Sequence, residues 1–324
     1  MKKYDVFGIG NALMDTLVEV DDRDINDLEL KKGTMHLVEE AHVSFVTNFL
    51  KNKNSKKQAG GSVSNTIAGV ANLGGKSFFT GKVGRDKLGF DYEMIMMRQG
   101  VHCDLKKDDV GTGNVISLIT KDSERTFITY LGSAVKFSKK DINKKELLKS
   151  KILHLEGYML ENLNLRKASL HAMKIAKRNG VIISIDLSDS ALIERNLEDF
   201  KKIVKKYCDI LFLNEDEARS FTGKNEEEAL LDVSRMVKLA IIKLGECGSI
   251  IKTKNKVLRF KAYKPKKVVD TTGAGDIYAA GILYSISNKL SLEDAGKIAS
   301  YAATKVIEQT GARLDYELKE HLNF

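Results

Sequence analysis

Val181-Ile182-Ile183-Ser184-Ile185-Asp186, a helical pattern over residues 197–206, and then Ile210-Leu211-Phe212-Leu213 decide the fold. Strands that read as unbroken apolar runs need burial on both faces, and a helix between two of them supplies the crossover that makes them parallel. The rhythm extends both ways. Upstream, Ile152-Leu153-His154-Leu155 precedes a helical pattern over 166–179, and residues 4–9 form another short apolar strand. Downstream, Ala240-Ile241-Ile242-Lys243-Leu244-Gly245-Glu246-Cys247-Gly248 is a strand running into a glycine turn. Residues 295–307 then read as a helix with small residues on one face, suited to packing against a ring or another element. The alternation predicts an α/β protein built around a buried parallel sheet.

A chain of 324 residues accommodates one large α/β domain with an appendage, or two domains. No stretch approaches the apolar length of a membrane span, so a membrane is not expected among its partners. The formal charge is +9, but the lysines are scattered among acids, as in Lys139-Lys140-Asp141. No Lys/Arg stripe with interleaved aromatics occurs, which argues against nucleic acid. Cys103, Cys208 and Cys247 are odd in number and widely spaced, fitting neither a disulfide framework nor a zinc site. Together with an N-terminus that leads straight into a strand, they predict a cytoplasmic protein.

Two other regions alternate with period two instead. Leu17-Val18-Glu19-Val20 and Met35-His36-Leu37-Val38 read as a pair of strands. Residues 115–120 and 125–130 read as a hairpin turning at 121–124. Between these regions lie a helix over 41–50, a polar loop over 51–57, a strand at 77–79 and a turn at 81–86. One-sided alternation marks a sheet with one solvated face. The two units together predict a small half-exposed sheet, a lid with Arg125 reaching into the gap it covers.

Four stretches carry chemistry. In Asp270-Thr271-Thr272-Gly273-Ala274-Gly275-Asp276 a glycine-rich turn opens a helix, so free N–H groups and the positive helix end make an anion site. A carboxylate beside such a site suits proton removal from a hydroxyl that attacks phosphorus. The helix end is expected to lower the Asp276 pKa, leaving an ionised, weak base. Gly60-Gly61-Ser62-Val63-Ser64-Asn65 opens a second helix that a ligand can approach closely. Asn214-Glu215-Asp216-Glu217 follows a strand; Asn214 and Glu217 share a helical face and suit either a hydrated Mg²⁺ or a capping box. Asn11 and Asp15 are polar groups at the carboxyl end of the first strand, with turn and cap roles as the ordinary alternative. Two decoys fail. Gly8-Ile9-Gly10-Asn11-Ala12-Leu13 lacks the last glycine of a dinucleotide fingerprint, and Gly74-Gly75-Lys76-Ser77 lacks the upstream glycine of a P-loop.

These stretches resemble, in order, the signatures of the PfkB (ribokinase-like) carbohydrate and nucleoside kinases, with 270–276 the most specific and 243–248 similar to the nucleotide loop. The resemblance covers nearly the whole chain. It implies an α/β fold of Rossmann-like (ribokinase-like) type, a doubly wound, mostly parallel sheet with a small β-sheet lid: residues 1–12, 41–104 and 133–324 as the large domain, 13–40 and 105–132 as a discontinuous lid. It implies ATP and Mg²⁺, with a monovalent cation (K⁺) as a further candidate. Asp276 matches the catalytic base, and Gly273, Ala274 and Gly275 the anion hole. Asn11, Asp15, Met35, Leu37, Gly60, Gly61, Ser62, Asn65 and Arg125 match acceptor-binding positions. Asn214, Lys243, Gly245, Gly248, Thr271, Gly273 and Gly275 match nucleotide-binding positions, with Asn214 and Glu217 serving Mg²⁺ largely through water. Residues 10–15 and 124–132 look most like adenosine kinases, and 155–160 is similar to a segment that puts an aromatic on the purine, at Tyr158 or Met159. Lys243 stands where Thr is more usual, and Ile277 where a smaller residue is commoner. The implied activity is ATP-dependent phosphorylation of a nucleoside 5′-hydroxyl, adenosine first. A sugar kinase acting on ribose or fructose is the alternative, and a non-catalytic nucleotide sensor, which has no use for Asp276, is the reading from another class. A monomer is favoured over a homodimer.

Overall fold

The computed structural model describes residues 2–122 and 124–321; Ser123, in the expected 121–124 turn, lies outside them. The first part of the chain runs β1 (Tyr4–Ile9), β2 (Leu13–Glu19), α1 (Asp22–Asp27), β3 (Met35–Leu37), α2 (Glu40–Phe49), β4 (Ser55–Gly60), α3 (Ser62–Asn72), β5 (Ser77–Gly84), α4 (Lys87–Arg98), β6 (His102–Asp108), β7 (Gly113–Ile119) and β8 (Arg125–Tyr130). The second runs α5 (Lys144–Leu148), β9 (Ser150–Glu156), α6 (Leu163–Arg178), β10 (Ile182–Asp186), α7 (Ser190–Tyr207), β11 (Ile210–Asn214), α8 (Glu215–Thr222), α9 (Glu226–Ser234), β12 (Leu239–Lys243), β13 (Ser249–Lys252), β14 (Val257–Phe260), α10 (Ala274–Ser287) and α11 (Leu292–Val306).

The large sheet has nine strands in the order β14-β13-β12-β11-β10-β9-β1-β5-β6. It is parallel from β12 to β6, and β13 and β14 add an antiparallel edge. Phe7, Leu153, Ile185 and Leu211 point to the face covered by α6 and α7, and Val6, Ile152, Phe212 and Ile241 to the face covered by α3, α10 and α11. Two buried faces explain the unbroken apolar strands. Each fully buried Leu, Ile or Phe contributes about 1.5–3 kcal/mol. The small-residue face of α11 packs as expected: a side chain on Gly296 would begin 2.3 Å from the Phe260 ring. Because β1 sits between β9 and β5, its carboxyl end is a topological switch point, where open α/β sheets place ligands. Asn11 lies just beyond β1, while Glu156, Asp186 and Asn214 end β9, β10 and β11.

The small sheet has five strands in the order β3-β8-β7-β2-β4. Val18, Ile116, Leu118 and Ile128 bury one face under Ile25 and Leu28 of the α1 region and Val43 and Val46 of α2. Membership differs from the sequence reading at four places. The polar stretch 51–57 enters β4 at Ser55, which pairs with β2. β2 and β3 do not pair directly, because β7 and β8 lie between them. β5 runs on to Gly84 through the residues expected to turn. The boundaries move accordingly: α2 and β4, assigned to the large domain, pack or pair with the small sheet, and residues 105–108, assigned to the lid, belong to β6 of the large one.

Candidate active site

Helix α10 opens at Gly273, whose φ of 78° is left-handed. A side chain there would begin 2.5 Å from Cβ of Ala312, so only glycine makes this turn. The carboxylate of Asp276, in the first turn, meets the start of α3: Ser62 Oγ donates to Oδ1 at 2.6 Å and Asn65 Nδ2 to Oδ2 at 2.9 Å. Helix α3 in turn follows Gly61, at φ 95°, where a Cβ would fall 2.1 Å from the Asn11 carbonyl oxygen. The starts of two helices, α3 and α10, therefore meet at one carboxylate. The expected depression of the Asp276 pKa is corrected. Burial pushes it up to about 6, against the Ser62 and Asn65 hydrogen bonds, with Asp186 adding to the rise and Lys243 opposing it. Helix-end electrostatics are worth about 0.3–1 kcal/mol, and desolvation can exceed that several-fold.

On the acceptor side, Asn11 is clamped by Glu156. Oε1 of Glu156 accepts from Asn11 N and from Nδ2, both at 3.0 Å, and Oε2 accepts from Val63 N at 2.9 Å. Among the described residues Asn11 Oδ1 is buried with no hydrogen-bond partner, an acceptor open to a donor. Asp15 projects from β2 with its carboxylate against Gly60, the last residue of β4. Burial raises both carboxyls to about 7; Arg313 opposes the shift at Asp15, and the backbone N–H groups of Asn11 and Val63 oppose it at Glu156.

Arg125 ties the small sheet to the turn that leads into α10: Nη2 pairs with Asp270 Oδ2 at 2.7 Å, and Nη1 donates to Thr272 Oγ1 at 3.0 Å. Thr271 is exposed, and its carbonyl accepts from Ala274 N. Asn214 and Glu217 form the full capping box of α8, and Asn214 Nδ2 also donates to Glu217 Oε1 at 2.8 Å. Lys243, at the end of β12, pairs with Asp186 at 2.7 Å, and its Nζ lies 3.1 Å from where a Gly275 side chain would begin. Burial by itself would lower the Lys243 pKa, but Asp186 and Glu217 more than offset it and hold the amine charged. Gly245 and Gly248, at φ 52° and 97°, bound the turn from β12 to β13. Among the described residues no group of three His, Cys, Asp or Glu is placed to hold a metal ion. The Asn214–Glu217 pair fits a cation that keeps most of its waters.

Met35 and Leu37 are 65% and 66% exposed on β3, which pairs with β8, the strand that begins at Arg125. Of the two aromatic-position candidates, Met159 is in the core and Tyr158 is 40% exposed. Glu156, Asp186 and Arg313 were not singled out from sequence. Each is a single charged residue, and the signal available for the first two was their position at strand ends in the switch-point crevice.

A family profile described as pfkB family carbohydrate kinase matches residues 34–319. A probable fructokinase-5 from Arabidopsis thaliana is 33% identical over 254 residues, covering 75% of this chain and 78% of its own. Two solved structures are also 33% identical: a probable sugar kinase from Rhizobium etli CFN 42, TM-score 0.91 over 99% of this chain and 98% of that one, and the adenosine kinase from Sinorhizobium meliloti, TM-score 0.90 over 98% of both. With this match the chain belongs to the pfkB carbohydrate kinase family, phosphotransferases that act on an alcohol group.

Proposed function

We propose that this chain transfers the γ-phosphoryl group of ATP to the 5′-hydroxyl of adenosine. The observation that carries the proposal is the meeting of Asp276 with Ser62 and Asn65 between two helix N-termini. Asp276 already accepts an O–H bond from Ser62, and an acceptor hydroxyl makes the same bond in its place. The hydroxyl gives its proton to the carboxylate, its oxygen bonds to the γ-phosphorus, and the bond to the β-phosphate oxygen breaks to release ADP. The Gly273, Ala274 and Gly275 turn, Lys243 and Arg125 take the charge that gathers on the transferred group. Asn214 and Glu217 would hold the waters of a Mg²⁺ ion, whose charge would offset that of the phosphates. Asp15, Asn11, Gly60 and Gly61 hold the sugar. Exposed Tyr158 offers a ring face, and Met35 and Leu37 offer apolar contacts, that a purine needs and a free sugar does not. The 33% identity to the adenosine kinase from Sinorhizobium meliloti supports this choice.

Adenosine, guanosine, inosine, ribose and fructose are offered with ATP and Mg²⁺, with and without K⁺, and ADP release is followed. Adenosine is expected to be fastest, with K⁺ increasing the rate. A preference for fructose or ribose would make this a sugar kinase, in keeping with the likeness to fructokinase-5. No release with any acceptor would sink both. In light scattering the same preparation is expected at the mass of one chain, 36.1 kDa. The exposed lysines of edge strand β4 support this by blunting edge-to-edge pairing, and twice that mass would refute it.

A further inference from the structure

We propose that Arg313, beyond α11, is a positioning residue for phosphoryl transfer: its guanidinium locks the Asn65 amide in the one orientation that donates to Asp276. The proposal rests on Asp276 being the base. Arg313 Nε donates to Asn65 Oδ1 at 2.9 Å, and Asn65 Nδ2 donates to Asp276 Oδ2 at 2.9 Å. Guanidinium only donates and an ionised carboxylate only accepts, so the amide between them has one satisfied orientation. A flip would set two donors against each other at one end and two acceptors at the other.

The guanidinium is itself fixed. Nη1 donates to Gln99 Oε1 at 2.7 Å and contacts Met96 Sδ, and Nη2 donates to Ser64 Oγ. All of these partners are neutral, and among the described residues no ion pair to Arg313 is found, although it is only 6% exposed. A buried cation without an adjacent counter-ion is costly unless nearby charge offsets it. Tyr92, hydrogen-bonded to Arg313, and then Asp15 and Asp276 at longer range oppose that cost. The neighbouring Gly311 N–H donates to Asp270 Oδ2 at 2.7 Å, so one short segment holds both the base and the Arg125 anchor.

Arg313→Met and Arg313→Lys are compared with the wild type on the acceptor that the panel identifies. Arg313→Met is expected to lower kcat about 10²-fold, the scale of a misplaced reacting group, with the KM for ATP unchanged. Its acid limb should move about one pH unit higher, because Asp276 loses a cation and a firm hydrogen bond that both favour the anion. Arg313→Lys, and guanidinium added to Arg313→Met, should each restore part of the rate. A cavity of ≈ 500 Å³ lined by Gln99, Ile277 and Arg313 gives the added cation its route. The Asn65 side-chain ¹⁵N–¹H signals report independently of turnover. In the wild type they should shift as Asp276 titrates, and in both variants that response should weaken. Should Arg313→Met not fold, Arg313→Lys and this titration carry the test. An unchanged acid limb with kcat within about twofold of wild type in a folded variant, or an Asn65 response indifferent to residue 313, overturns the proposal. Failure of the base assignment shows separately, as an Asp276→Asn enzyme with normal turnover, while the Asn65 signals still report what Arg313 holds.

Discussion

Asp15, Glu156 and Asp276 share a property that opposes folding: each is a carboxyl held above its ordinary pKa by burial. For Asp15 the folded value is about 7 and the unfolded one 3.8. A raised folded pKa means that the native state binds more protons between these values, so stability from this group is full below pH 3.8 and is lost as pH rises through 7. Asp15→Asn removes the titration and keeps the shape. Its melting temperature should match the wild type near pH 4 and exceed it increasingly toward pH 8, by several degrees. A difference that stays constant from pH 4 to 8 would show that Asp15 is not a strained carboxylate. The identities of these groups were partly legible beforehand, since Asp15 and Asp276 sit in recognisable signatures. Their protonation was not, because desolvation depends on what the fold stacks around a carboxylate.

Helix starts were the most readable pieces of the chain. The starts of α3, α8 and α10 each follow a glycine turn or a capping pair, and local chemistry decides them. β4 was missed because Ser55-Lys56-Lys57-Gln58-Ala59-Gly60 is an edge strand, mostly solvated, with no alternation to reveal it. β6, with charged residues along much of His102–Asp108, hides in the same way. The start of α10 also makes a sharp test. Gly273→Ala forces a side chain into a left-handed turn and onto Ala312. The conformation alone costs about 1–2 kcal/mol, and the contact adds to it. Urea unfolding should show a loss of at least that size, and kcat should fall about 10²-fold as the anion turn shifts. Wild-type stability and rate would mean that the turn does not have the geometry described.

Across the whole molecule, the parallel sheet gathers residues that sequence keeps far apart. Asn11 meets Glu156 across 145 positions, Asn65 meets Asp276 across 211, and Arg313 meets Asn65 across 248. Contiguous glycine signatures could be read along the chain, but lone partners such as Glu156, Asp186 and Arg313 acquire meaning only through these long-range contacts. The small sheet adds Arg125 to the turn that leads into α10. The contacts of Asn65 and, through it, Arg313 converge on the Asp276 carboxylate. With its pKa near 6, Asp276 is ionised at neutral pH and should impose an acid limb on kcat near that value. The decisive measurement is therefore kcat for Asp276→Asn with ATP and the preferred acceptor. Asparagine keeps the size and hydrogen bonding but cannot take the proton. kcat should fall about 10²–10⁴-fold while acceptor binding changes little, Asp15 and Asn11 still holding the sugar. A kcat within about threefold of wild type would contradict this, leaving Asp276 an ordinary first-turn carboxylate of α10.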